Sequence, residues 1–219
     1  MMQIFSRRVV LMYVAIGMAA LSLSLSPGHA QKGKPQPGKL QHAKVAIVAG
    51  GCFWCVESDY DKVPGVLSTT SGYIGGTLKN PAYKQVARGG TGHAEAVKIV
   101  YDPKVISYDR ILHIFWRTTD PLTAGGQFCD RGDQYRNAIF YLDEAQRKAA
   151  VRSKTQLQES GLLKGKIVTT IEKATRFYPA EGYHQNYAKR SPVKYKFYRW
   201  NCGRDRRVKE IWGKEAYNF

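Results

Sequence analysis

The chain has 219 residues, 34 Lys and Arg against 17 Asp and Glu for a formal net charge of +17, and 43% hydrophobic residues. That composition excludes a disordered or collagen-like chain, and the length fits one domain of ordinary size. Its four cysteines could form two structural disulfides in an exported protein, but a domain of this length can bury enough core without such staples.

The N-terminal segment is read as a targeting signal rather than part of the fold. Arg7 and Arg8 precede an apolar run over residues 9–25, and Ser26-Pro27-Gly28-His29-Ala30 places small residues at the positions a signal peptidase reads. Residues 1–30 are therefore expected to be a signal peptide and the protein to be exported, to the periplasm. The alternative is an uncleaved membrane anchor, since the run is only slightly shorter than a spanning helix needs. Ser6-Arg7-Arg8 also matches a twin-arginine export signal. Residues 31–43, rich in Pro, Gly and Lys, read as a flexible linker, which leaves residues 44–219 as the globular domain.

Residues 1–43 contain five of the basic residues and no acidic one, so the domain itself carries 29 against 17, or +12. Residues 189–219 hold ten basic and three acidic residues. Such a tail could meet nucleic acid or an anionic membrane, but export removes the protein from nucleic acid, and the reading taken is a solvated basic surface.

Within the domain, the β-branched run 44–49 predicts a strand stopped by Gly50-Gly51, and 53–63 a helix ending before Pro64-Gly65. Residues 66–73 and 95–101 read as further strands around a Gly-rich excursion with a short helix over 81–87. Ser107 caps a helix bearing Ile111, Leu112, Phe115 and Trp116. A strand over 137–142, a surface helix over 143–160, a strand over 167–171 and a short helix over 181–189 complete the series. Strands and helices interleaved without a regular βαβ rhythm predict an α+β domain, its helices packed on a mixed or antiparallel sheet.

Cys52 falls at the strand-to-helix turn, where unpaired backbone N–H groups and the helix dipole favour a thiolate, so it is the candidate nucleophile. Cys55 lies three residues on and within disulfide reach. Val56 stands where a c-type haem site needs His, and Cys129, Cys202 and His184 lack the paired spacing of a zinc site. A thioredoxin-like exchange pair is the remaining rival, although Phe53-Trp54 looks more like a pocket wall than the small residues of such a motif.

GCFW after an apolar strand, then VPGV, SGYIGG, NPAY, GHAEAV, DRGDQYR, FYPAEGYHQ and a basic CGR segment, in order over nearly all of residues 44–213, resemble the A-type peptide-methionine sulfoxide reductases. The resemblance implies a ferredoxin-like core and reduction of the S epimer of methionine sulfoxide, in proteins or free, with a sulfenic acid forming on Cys52. It implies Glu95 as proton donor, held protonated by apolar surroundings. Tyr83 and Tyr135 would hydrogen-bond the sulfoxide oxygen beside Asp130, and Phe53 and Trp54 would hold the methyl group. The resolving thiol stays open between Cys55, which is close, and Cys202, on a Gly-flanked tail able to swing inward. Cys129 is expected to pack near the pocket as a small apolar residue, and His184 to be a structural hydrogen-bonder.

No bound metal or organic cofactor is expected, only thioredoxin or a similar dithiol as electron donor, oxidised proteins or peptides as substrates, and a monomer that binds no nucleic acid. Two readings of other classes stand beside this one: an exported thiol-disulfide oxidoreductase using Cys52 and Cys55, and a disulfide-stapled binding module.

Overall fold

In residues 44–50 the alternation of a strand serves two buried faces. Ala46 and Val48 point into one apolar layer while Ile47 and Ala49 point into the other, and all four are buried. A strand covered on both sides must lie inside its sheet. The computed structural model, which describes residues 42–219, places it there.

Eight strands and seven helices are found among the described residues. The strands are β1 Lys44–Gly50, β2 Val66–Ile74, β3 Ala94–Tyr101, β4 Gly126–Gln127, β5 Asp130–Arg131, β6 Asn137–Tyr141, β7 Thr170–Lys173 and β8 Tyr178–Pro179. The helices are α1 Phe53–Tyr60, α2 Tyr83–Ala87, α3 Tyr108–Arg117, α4 Glu144–Glu159, α5 Tyr187–Arg190, α6 Pro192–Asn201 and α7 Arg204–Trp212.

Six strands form one mixed sheet in the order β7-β6-β1-β3-β2-β8, antiparallel except for the β6–β7 pair. Its centre, β6-β1-β3-β2, with α1 between β1 and β2 and α3 between β3 and β6, is the βαββαβ pattern of a ferredoxin-like core. The domain is α+β, as its element pattern predicts. The larger apolar layer lies under the helices and joins Val48, Val97, Ile99 and Ile139 to Phe53, Tyr60, Leu112, Phe115 and Ala150. The smaller one, on the opposite face, joins Ile47, Ile74 and Phe140 to Phe177.

Most element starts follow their local chemistry. Ser107 accepts from the Arg110 N–H at 3.1 Å and Asp143 from the Gln146 N–H at 2.7 Å, each capping the helix predicted for it. Three expectations are corrected. The strand expected over 167–171 starts later, at Thr170, because Ile167 and Val168 donate their N–H groups to Gln158 Oε1 and Pro121 O instead of to a ladder. The helix expected over 181–189 shrinks to Tyr187–Arg190, since the Gln185 side chain bonds Ser71 and Ala180 and Asn186 takes a left-handed φ of 52°. The tail read as a solvated basic surface folds into α6 and α7, separated by Cys202 and Gly203, with Arg199 and Arg204 buried. The proposed signal peptide lies outside the described residues, as does the linker except for His42 and Ala43.

Gly72, on β2, is where β8 docks. A Cβ there would meet Phe177 Cζ and Tyr178 O at 2.4 Å each. Gly72→Ala is expected to force β8 off the sheet edge and lower stability by about 1–3 kcal/mol, read as a shifted urea midpoint.

Candidate functional site

Gly51 turns the chain from β1 into α1 with φ +83°, and a Cβ there would strike Gln127 Cβ at 2.7 Å. Cys52 follows as the N-cap of α1, and its side chain makes no capping bond. The N–H groups of the turn itself are held by carboxyl groups from other elements. Phe53 N donates to Glu95 Oε2 at 3.0 Å, and the Cys52 N–H is held by Asp130. The sulfur makes no bond to the helix start.

Glu95 stands on central β3, opposite Tyr73 of β2. It is 2% exposed, and burial pushes its carboxyl up to about 8 against the opposing pull of the Phe53 N–H. Burial thus favours the protonated carboxyl. His93, just before it, accepts from Gly76 N at 3.1 Å and bonds Leu78 O at 2.8 Å through its other ring nitrogen, tying the SGYIGG loop to the GHAE segment.

The other predicted residues gather here. Tyr83 opens α2, and burial pushes its phenol up to about 12; Glu95 and Cys52 act on it in the same direction. Tyr135 closes a 3₁₀ turn, Asp133–Tyr135, and burial also raises its phenol, with Glu95, Tyr83, Asp130 and Cys52 all contributing. Asp130, in β5, is pushed up by burial although Tyr198 OH donates to it at 2.6 Å. Both phenols are thus neutral donors across the physiological range.

Phe53 and Trp54 begin an aromatic wall. Phe53 packs against Tyr73 and His184 at centroid distances of 6.0 and 5.0 Å. Trp54 stacks on Tyr187 at 3.8 Å, meets Tyr198 edge-on at 5.7 Å, and donates its indole N–H to His184 Nδ1 at 3.1 Å. His184 is buried and bonded, the structural role expected of it.

Cys52 and Cys55 are both buried free thiols, hydrogen-bonded to each other. Burial pushes the Cys52 thiol up and outweighs the helix terminus. Cys55 is drawn down, first by the bond from Cys52 and then by Arg204 and Arg199 behind it. Of the two thiols, Cys55 is therefore the one more readily ionised. Arg204 is fully buried and donates to Gly50 O and Thr118 O at 2.9 Å each. Arg199 pairs with Asp59 at 2.9 Å and Asp205 at 2.8 Å.

One expectation is overturned. Cys129 is exposed, not packed in the pocket, and forms a disulfide with Cys202, at the C-cap of α6. Cys129 sits in the short turn between β4 and β5, where its neighbour Phe128 turns toward the core and Cys129 turns outward. Cys129, Asp130 and Cys202 are the one group of three potential metal ligands close together among the described residues, but both sulfurs are taken by the disulfide.

Sequence reasoning missed Tyr73, Glu181, Tyr198, Arg199 and Arg204. Glu181 accepts from Tyr73 OH and from Tyr83 N, each at 2.8 Å, and so fixes the start of α2. It belongs to the FYPAEGYHQ segment and Arg204 to CGR, so their motifs carried a signal. Tyr198 had none.

A paired thiol at a helix start, a neutral carboxyl on its first N–H groups and two neutral phenols define a cysteine-dependent oxidoreductase in which protons are supplied from inside the site. Residues 44–216 match the family model described as peptide methionine sulfoxide reductase. Peptide methionine sulfoxide reductase MsrA of Bacillus licheniformis is 48% identical over 172 residues, 78% of this chain and 95% of its own. The enzyme of that name from Ligilactobacillus salivarius is 56% identical over 150 residues, covering 68% and 87%. Among solved structures, reduced Mxr1 from Saccharomyces cerevisiae superposes with a TM-score of 0.66 at 34% identity, over 72% of this chain and 89% of its own. The chain belongs to the peptide methionine sulfoxide reductase family.

The raised Glu95 carboxyl sets a stability signature. Its folded value lies above its unfolded one near 4.5, so its stabilising contribution is complete below about 4.5 and is lost as pH rises to about 8. Glu95→Gln keeps an acceptor for the Phe53 N–H and removes the ionisation. The variant is expected to be more stable than the parent at pH 8, by on the order of a few kcal/mol, and close to it at pH 4, in paired urea titrations.

Proposed function

We propose that the protein reduces the S epimer of methionine sulfoxide, in oxidised proteins, peptides or the free amino acid, by oxygen transfer to Cys52. The observation that carries the reading is Cys52 at the start of α1, with the protonated carboxyl of Glu95 one backbone bond away. Phe53 and Trp54 take the methyl group and orient the sulfoxide. Its oxygen accepts hydrogen bonds from Tyr83, Tyr135 and Glu95, which raises the electrophilicity of sulfur.

Cys52 gives up its proton as it attacks sulfur. Glu95 protonates the oxygen, and the resulting hydroxyl passes from the substrate sulfur to Cys52 Sγ as the bond just formed between the two sulfurs breaks. The products are methionine and Cys52 sulfenic acid. Cys55, drawn down by Arg204 and Arg199, attacks that sulfenic sulfur, and hydroxide leaves with a proton as water. A Cys52–Cys55 disulfide results. Thioredoxin or a thioredoxin-like dithiol returns two electrons, and no bound metal or organic cofactor takes part. The protein acts as a monomer, exported to the periplasm on the signal read in residues 1–30; the alternative is retention on the membrane by that segment.

Incubating the mature protein with a peptide carrying the S-sulfoxide and dithiothreitol is expected to remove one oxygen mass. Cys52→Ser should abolish the conversion, and Glu95→Gln should lower it ~10²–10⁴-fold. Because Glu95 acts protonated, activity should fall as pH rises through about 8, and Glu95→Gln should lose that descending limb. A general disulfide exchanger would be indifferent to Glu95, so full activity of Glu95→Gln would reject this reading in favour of that one. Separately, Cys55→Ser is expected to keep the first turnover and to lose multiple turnover with a dithiol protein by about tenfold or more. Rapid-quench measurement of methionine formed per enzyme distinguishes the two phases.

A further inference from the structure

Residues 182–204 contain no acidic residue and six basic ones: Lys189, Arg190, Lys194, Lys196, Arg199 and Arg204. Arg199 and Arg204 are spent in the interior, and Lys189 pairs with Asp61. Arg190 donates to Gly182 O at 2.7 Å. Lys194 and Lys196 stand exposed on α6.

That helix is apolar on the side turned away from the domain. Tyr195 and Arg199 face inward and are buried. Opposite them Val193, Phe197 and Trp200 recur at i, i+4 and i+7, and they are 80%, 65% and 74% exposed. The Phe197 and Trp200 rings lie 6.1 Å apart at their centroids. Helical geometry sets Lys194 along one border of this stripe and Lys196 along the other. The stripe cannot serve the core of its own domain, which lies across the helix.

We infer that the outward face of α6 docks on an anionic phospholipid surface, with Val193, Phe197 and Trp200 entering the boundary between headgroups and acyl chains and Lys194 and Lys196 meeting the phosphates. A helix lying in a membrane interface has this make-up. Its aromatic and aliphatic side chains form one stripe, and flanking lysines lay their alkyl stems along apolar surface while their ammonium groups stay among the headgroups. The acid-free stretch around the stripe gives the charge complementarity. A second copy of the chain fits less well, because apposing two such faces would bring their lysines together. A ten-residue helix about 15 Å long also offers far less area than the roughly 800 Å² per partner of a stable dimer. Tyr198, on the flank of the same helix, reaches Asp130 and Trp54, so docking sets the candidate site beside the membrane. The docking does not depend on the reductase reading; taken with it, the substrates are methionine sulfoxides in proteins exposed at that surface.

The test is cosedimentation with vesicles of mixed phosphatidylglycerol and phosphatidylcholine, and with phosphatidylcholine alone. It uses the exported form proposed above, residues 31–219, which lacks the apolar run 9–25 and keeps the whole family domain, residues 44–216. Binding is expected to the anionic vesicles only and to weaken as salt rises. Phe197→Ser with Trp200→Ser should lower the partition coefficient at least about tenfold. Lys194→Gln and Lys196→Gln should each lower it by about fivefold. All these side chains are exposed, so the variants should keep the parent's melting temperature and its rate on free methionine sulfoxide. Failure to bind anionic vesicles, equal binding to both kinds, or binding that survives Phe197→Ser with Trp200→Ser overturns the proposal. Capture of polyglutamate without vesicle binding overturns it in favour of an acidic protein partner, and a dimer broken by the same substitutions in favour of a second copy. Inactivity of the parent on free methionine sulfoxide would instead reject the reductase reading, and the vesicles would still report the docking.

Discussion

Everything in the site depends on how the first N–H groups of α1 are satisfied. A helix start normally recruits its own capping side chain. Here two carboxyl groups from elsewhere, Asp130 and Glu95, hold the N–H groups of Cys52 and Phe53. These two bonds fix two acidic groups within one residue of the nucleophile's sulfur, which caps nothing and bonds Cys55 instead. The sheet order makes it possible: β1 feeds α1 directly, and β3, hydrogen-bonded beside β1, brings Glu95 up under the turn.

The charges follow a second pattern. Facing the substrate, burial keeps Glu95 and the phenols neutral, so the groups there can donate hydrogen bonds. Behind the thiols lies the opposite arrangement, a buried ionic cluster of Asp59, Arg199 and Arg204. Buried ions are costly unless paired and hydrogen-bonded, and Arg204 meets that demand by spending two of its N–H groups on backbone carbonyls. The cluster puts positive potential on Cys55 and not on Cys52, so the two cysteines of one short motif are unequal before any substrate arrives.

Much of this was legible in the sequence because it is local. The alternation in residues 44–50, the caps at Ser107 and Asp143, and the Gly-Gly turn before Cys52 all act within a few residues. The family motifs located Glu95, Tyr83, Tyr135 and Asp130, which the fold does bring around Cys52. What escaped was set by distant partners. Nothing near Cys129 in the chain names Cys202 as its partner, 73 residues away. The basic residues of the tail read as solvated surface because charge alone does not reveal that Arg199 and Arg204 find carboxylates and carbonyls in the interior. The helix expected over 181–189 failed for a related reason: Gln185 bonds the backbone of β2 instead of extending a helical ladder.

Arg204 has a further consequence, for biosynthesis. Its bond to Gly50 O spans 154 residues, joining the turn before the nucleophile to a helix near the end of the chain. Contacts of such separation form late, after loop closure over most of the domain. The nascent chain can build β1, α1 and the neighbouring strands early, whereas the guanidinium that underpins the thiol pair emerges from the ribosome 154 residues after Gly50. Until Arg204 has been made and has docked, the chain carries the cysteines without one of the charges that draw the Cys55 thiol down.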